Sequence, residues 1–190
     1  TNSIGTYYHP KIVFILENVI KNLPEREFLA GIAEVIKCGI IGDKKILNLL
    51  RSDKVKILNR NINLVFSLCY LTLKTKIKFF INDIYEKDKR LSLNFGHTFA
   101  HAIEMAIEQK LKRDFIRHGE AVGLGMLCEI FYEKRKKEKI YNTVKTLLQN
   151  YGLPIYISLK NTPINGAHLQ NSIYKKVFLD KKKLDKYPRY

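Results

Sequence analysis

Three of the five histidines in this 190-residue chain fall in two short stretches, each beside glycine. The first reads Asn94-Phe95-Gly96-His97-Thr98-Phe99-Ala100-His101-Ala102-Ile103-Glu104. On a helix His97, His101 and Glu104 stand at i, i+4 and i+7 and share one face. Phe95, Phe99, Ala102, Ile103 and Ala106 make an apolar stripe on another. Two imidazoles one turn apart can share a metal ion, or one can bind it while the other moves protons. The second stretch, His118-Gly119-Glu120-Ala121-Val122-Gly123-Leu124-Gly125-Met126, opens with its histidine at a helix start. Each glycine inside a helix costs about 1 kcal/mol against alanine, a cost usually kept for close packing or for a site. A His–His–Glu set drawn from different helices suits zinc, which takes nitrogen and oxygen ligands and can leave one position open.

A carboxylate partner is available earlier in the chain. On the helix predicted from Pro24 to Ile41, Phe28, Ile32, Val35 and Ile36 form the core stripe. Glu34 and Lys37 lie off it, three apart on one face, among the small residues Ala30, Gly31 and Ala33. Small residues let another backbone come close, which would bury the carboxylate. A solvated Glu–Lys pair is the plain alternative.

The elements that must hold these residues are helices. Leu23-Pro24-Glu25-Arg26-Glu27 is a helix start, with proline in the first turn and glutamates at the positive end of the dipole. Further helices are predicted over Lys44 to Leu50, Ile62 to Ile81, Asn94 to Leu111, His118 to Lys137, Ile140 to Asn150 and Asn165 to Lys176. Tyr151-Gly152-Leu153-Pro154 stops the penultimate one. Pro10 to Leu16 is the one strand-like run. The expectation is a single, mainly α, multi-helix domain over residues 1–190 with a short N-terminal extended segment.

Composition agrees with a globular domain: 46% hydrophobic and 27% charged residues. No apolar run is long enough to span a bilayer. Cys38, Cys69 and Cys128 are far apart, form no CxxC pair, and read as small buried residues of a reducing compartment, which implies the cytoplasm. The net charge of +16 is spread along the chain, with dense runs at Lys134 to Lys139 and Lys181 to Lys186. No nucleic-acid-binding pattern accompanies it, so nucleic acid is not an expected partner. There is no GxGxxG after a strand and no Walker-type loop. Both ends read as cuts rather than natural termini.

In LPEREFLAGIAEVIKCGII (Leu23 to Ile41), RLSLNFGHTFAHAIE (Arg90 to Glu104) and HGEAVGLGM (His118 to Met126), the chain resembles the 3-dehydroquinate synthase family. TNSIGTYYHP at the start and Leu179-Asp180-Lys181-Lys182 near the end add weaker matches, so the resemblance spans nearly the whole chain in order. It implies the C-terminal domain of that fold, with the N-terminal NAD-binding domain absent from this chain. It implies that Glu34, His97 and His118 bind Zn2+, or another divalent cation such as Co2+. His101 becomes the acid/base histidine beside the metal, with Lys37 at the same centre. Lys37, Lys76, Arg90 and Asn94 become substrate-binding residues. Asn2, and one of Lys181 and Lys182, would reach the phosphate.

Such enzymes convert 3-deoxy-D-arabino-heptulosonate 7-phosphate to 3-dehydroquinate in the shikimate pathway, using NAD+ catalytically. The resemblance also implies a homodimer, and a chain that cannot turn over substrate by itself. The sequence departs from the family pattern just ahead of Arg90, where Ile84 and Asp88 replace usual acidic and glycine positions. Two alternatives stand beside this reading. One is a related sugar-phosphate cyclase, such as a 2-deoxy-scyllo-inosose synthase; the other is a non-catalytic metal-binding domain. A zinc hydrolase of HExxH type is excluded, because the chain has no such motif.

Overall fold

Pro24 and the two acidic residues after it start α2, which runs Glu25–Ile41. The Pro24 carbonyl accepts the N–H groups of Glu27 and Phe28, both at 3.0 Å, so the first turn closes where the sequence predicts. The computed structural model describes residues 11–84, 87–109, 111, 115–132, 138–160 and 162–177. Within them the helices are α1 (Glu17–Asn22), α2, α3 (Lys44–Ser52), α4 (Lys54–Leu58), α5 (Ile62–Asn82), α6 (His97–Glu108), α7 (His118–Tyr132), α8 (Glu138–Asn150) and α9 (Gly166–Val177). A 3-10 turn, Lys89–Asn94, precedes α6. The mainly α expectation holds.

Local chemistry explains most boundaries. Asp43 caps α3 by accepting the Lys45 N–H, and Asn61 caps α5 by accepting that of Leu64. At the end of α8, Gly152 takes φ +66°. The N–H groups of Gly152 and Leu153 return to the carbonyls of Gln149 and Leu148, the paired bonds of a Schellman stop.

α7 is the central element. One side of it, with Met126, Leu127 and Ile130, packs in a core built from α2, α3, α5 and α8. Ala121, Val122 and Leu124 join a second core with α6 and α9. Each large aliphatic side chain buried there contributes about 1.5–3 kcal/mol of transfer free energy. The residues of that helix that lack side chains mark where neighbours come close. A Cβ on Gly119 would fall 1.9 Å from the Ala30 carbonyl oxygen, and one on Gly125 would fall 2.0 Å from that of Gly96.

Several expectations are corrected. Residues 11–16 form no strand, and among the described residues there is none. A β-branched run needs a neighbouring strand to satisfy its backbone; here it lies bare, with Phe14 77% exposed. Pro10 lies outside the described residues. α6 begins at His97 rather than Asn94, and ends at Glu108 rather than Leu111. The delay comes from Gly96, which adopts φ +80° and re-aims the chain out of the 3-10 turn. α1 and α4 were not expected; at six and five residues they are too short to show a helical period in the sequence. Gly31 is exposed and an added Cβ would meet nothing, so the close approach on α2 falls at Ala30 instead. Cys38 is buried as expected, Cys69 is half-buried, and Cys128 is exposed. The end predicted for α7 at Lys137 lies outside the described residues, as does most of the basic run from Lys134.

Candidate metal centre

Three helices bring their polar side chains to one point. α2 contributes Glu34, the first turn of α6 contributes His97, and the first residue of α7 contributes His118. One donor atom from each lies within 4.8 Å of the other two. The imidazole rings of His97 and His118 are 5.3 Å apart between centroids. His97 Nε2 is 3.4 Å from Glu34 Oε1. His101, one turn further along α6, completes the group, its ring 5.7 Å from that of His97 and 6.2 Å from that of His118. Nδ1 of His97 lies 3.3 Å from the Phe95 carbonyl, and Nδ1 of His118 lies 3.1 Å from Glu104 Oε1. With both Nδ1 atoms directed at oxygen acceptors, each ring keeps Nε2 for another partner.

Close packing fixes this arrangement. Gly96 precedes His97 and lies against Gly125 and Met126 of α7, where no side chain would fit. Its N–H donates to the carboxylate of Glu129, which is buried near the end of α7. At the other end of α7, the close Gly119–Ala30 contact sets His118 beside α2. The helix pair is clamped by Arg26, whose Nε and Nη2 each reach the Glu120 carboxylate at 2.7 Å. Arg117 pairs with Glu27 across the same junction.

Cations surround the glutamate. Lys37 is only 3% exposed; its Nζ lies 3.0 Å from Glu34 Oε2 and donates to the Leu93 carbonyl at 2.8 Å. Lys76 of α5 reaches the same oxygen at 3.4 Å. Burial pushes the Glu34 carboxyl up, yet Lys37, Lys76 and His97 together hold it below the ordinary carboxylate value. Burial, only partly offset by Glu34, pulls the Lys37 ammonium down. Burial and the Lys37 charge take His97 down to about 4, so its imidazole is neutral at physiological pH. His118 moves the other way, because its hydrogen bond to Glu104 favours the imidazolium and outweighs burial. A carboxylate and two imidazoles are the donor set that suits zinc or cobalt(II).

Of the other predicted site residues, Arg90 and Asn94 lie on the 3-10 turn whose Leu93 carbonyl holds Lys37. The Arg90 guanidinium lies over the Phe80 ring at 4.9 Å and donates to the Ile84 carbonyl. Asn2, Lys181 and Lys182 lie outside the described residues. Sequence reasoning gave no role to Glu129. The one signal for it was a lone carboxylate in the apolar run Gly123 to Phe131.

Comparison with known proteins shows the family to which the chain belongs. The family model described as 3-dehydroquinate synthase C-terminal matches residues 31–183. The chain is 35% identical to the 3-dehydroquinate synthase of Thermodesulfovibrio yellowstonii over 191 residues, covering 97% of this chain and 49% of that protein. It thus spans about half the length of the curated relatives it matches. Among solved structures, 2-deoxy-scyllo-inosose synthase complexed with carbaglucose-6-phosphate, NAD+ and Co2+ is similar with TM-score 0.70 at 29% identity, over 97% of this chain and 49% of that one. The 2-epi-5-epi-valiolone synthase ValA of Streptomyces hygroscopicus subsp. jinggangensis, with NAD+ and Zn2+ bound, shares the fold with TM-score 0.74 at 20% identity, over 93% of this chain and 48% of that one. The helical domain assembled around Glu34, His97 and His118 therefore belongs to the 3-dehydroquinate synthase family, in its C-terminal part.

Proposed function

We propose that this chain is the metal- and substrate-binding half of a 3-dehydroquinate synthase, acting in the shikimate pathway. The whole enzyme would convert 3-deoxy-D-arabino-heptulosonate 7-phosphate to 3-dehydroquinate and phosphate. The observation that carries the reading is the convergence of Glu34, His97 and His118, with donor atoms within 4.8 Å of one another and His101 beside them. These three residues would hold Zn2+ or Co2+. A cation bound there supplies Lewis acidity, lowering the pKa of a substrate hydroxyl about to be oxidised.

The chain's own residues do the rest. His101 relays the proton of that hydroxyl, a task suited to an imidazole near neutral pH. Lys37, buried against Glu34 with its ammonium pKa drawn down, gives a proton or a hydrogen bond to the substrate more readily than an exposed lysine would. Arg90 grips the substrate carboxylate through its planar fork, and Asn94 hydrogen-bonds substrate hydroxyls. Lys76, beside Glu34, is a further substrate-binding cation, while Asn2 gives a hydrogen bond, and one of Lys181 and Lys182 gives positive charge, to the phosphate that leaves by β-elimination. In this reading residues 1–190 form one domain. NAD+, present in both solved cyclases, would on this proposal be held outside the metal-binding helices, and the 190 residues by themselves would not turn over substrate.

The decisive measurement is metal content after single substitutions. Glu34→Ala, His97→Ala and His118→Ala should each lose bound zinc, and His101→Ala should keep it. Zinc retained at parental stoichiometry in His97→Ala would overturn the centre. A second reading, a related sugar-phosphate cyclase, is favoured by the 29% identity to 2-deoxy-scyllo-inosose synthase. Phosphate release by the whole protein from heptulosonate phosphate against glucose 6-phosphate separates the two.

A further inference from the structure

The contact between Glu104 and His118 has no part in the scheme above. Glu104 lies on α6, two turns beyond His97, and His118 opens α7. The carboxylate Oε1 is 3.1 Å from His118 Nδ1. A carboxylate only accepts, so the proton of this bond sits on Nδ1 and the open lone pair of the ring is on Nε2. The Glu104 side chain is 19% exposed and that of His118 is 49%, so the acceptor is the more sheltered of the two. His97 has a neutral acceptor at the same ring atom, the Phe95 carbonyl. The first carboxylate of the centre, Glu34, is meanwhile shared with two ammonium groups, Lys37 and Lys76.

The geometry points to Glu104 as a positioning residue of the metal centre, one that fixes the ring of His118 and supplies the second negative charge a divalent cation needs there. This rests on the metal-centre reading given above. Hydrogen bonding to Nδ1 locks the tautomer and the ring rotation, so the Nε2 lone pair is presented without an ordering cost when the ion arrives. Negative charge at that bond also raises the basicity of the imidazole, which strengthens its hold on a cation. Glu104 does both from the helix that carries His97 and His101, so one rigid element sets the positions of all three imidazoles, those of His97, His101 and His118.

The test is a Co2+ titration of the full 190-residue chain, followed by the visible absorption of the bound ion, with the apo melting temperature measured alongside. Glu104→Ala should weaken Co2+ binding about 10- to 100-fold, the range usual for loss of such an outer partner. The isosteric Glu104→Gln keeps an acceptor without the charge, and its affinity should fall between parent and alanine. Apo melting should stay at the parental value in Glu104→Gln, which removes folding as the cause. Parental affinity in Glu104→Ala, while His97→Ala abolishes binding, would overturn the role of Glu104 and leave the centre standing. A parent chain that takes up no Co2+, or a His97→Ala variant that binds it normally, would overturn the centre and this inference together.

Discussion

The N–H of Gly96 donates to the carboxylate of Glu129, a side chain 1% exposed in the core. The bond ties the turn ahead of α6 to α7, and His97 is the next residue along. Removing the acceptor strands a buried donor and opens a cavity. Glu129→Ala should therefore cost about 2–4 kcal/mol of stability. Glu129→Gln, which keeps an acceptor, should cost less. Urea unfolding of both variants checks this, and an alanine variant as stable as the parent would contradict it.

Two glycines on facing helices should respond in opposite directions. The Cβ of Gly119→Ala would land 1.9 Å from the Ala30 carbonyl oxygen, where only backbone could give way. That substitution should lower stability by about 2 kcal/mol or more. Gly31→Ala meets nothing within 4 Å on an exposed helical face, so it should raise stability by about 0.5–1 kcal/mol. Thermal melts of the pair decide the matter.

Acid should weaken the α2–α7 clamp. Burial raises the Glu120 pKa, but Arg26 and the Arg117 N–H more than reverse this and leave it below its ordinary 4.5. A depressed carboxylate pKa contributes stability that is fully present above the unfolded value and is lost as pH falls through the folded one. Stability should thus decline below about pH 4.5 in the parent, and less steeply in Glu120→Gln. Denaturant midpoints measured from pH 6 downward test it; equal slopes in both proteins would rule the clamp out.

Lys37 competes with any cation for Glu34. Lys37→Met removes the charge and keeps much of the volume. Zinc uptake should persist or tighten, while the phosphate release proposed for the whole protein should fall about 10²- to 10⁴-fold. Loss of zinc together with activity would mean that Lys37 serves the fold and not the reaction.

How much of this was legible in the sequence depends on the range of the forces involved. α2, α5, α8 and α9 follow from local caps and apolar periodicity, and the observed boundaries fall within a few residues of those expected. The strand expected at Pro10 to Leu16 failed because pairing is non-local, and the described residues offer it no neighbour. The late start of α6 could not be read from periodicity, since it depends on Gly96 meeting Met126 and Gly125 across a helix interface. Glu34, His97 and His118 were visible as residue types and through a family resemblance. Their meeting within one ion's reach is tertiary. Glu129 carried almost no signal, because a lone carboxylate in an apolar helix has no partner until the fold supplies one.

The three donors belong to helices that are remote along the chain, and no part of the unfolded polymer holds them together. An ion seated among them would act as a cross-link that exists only in the native state. Occupancy then enters the folding equilibrium directly, adding about 2.7 kcal/mol when free ion exceeds its dissociation constant a hundredfold. With such an ion seated, a chelator would behave toward the fold as a mild denaturant.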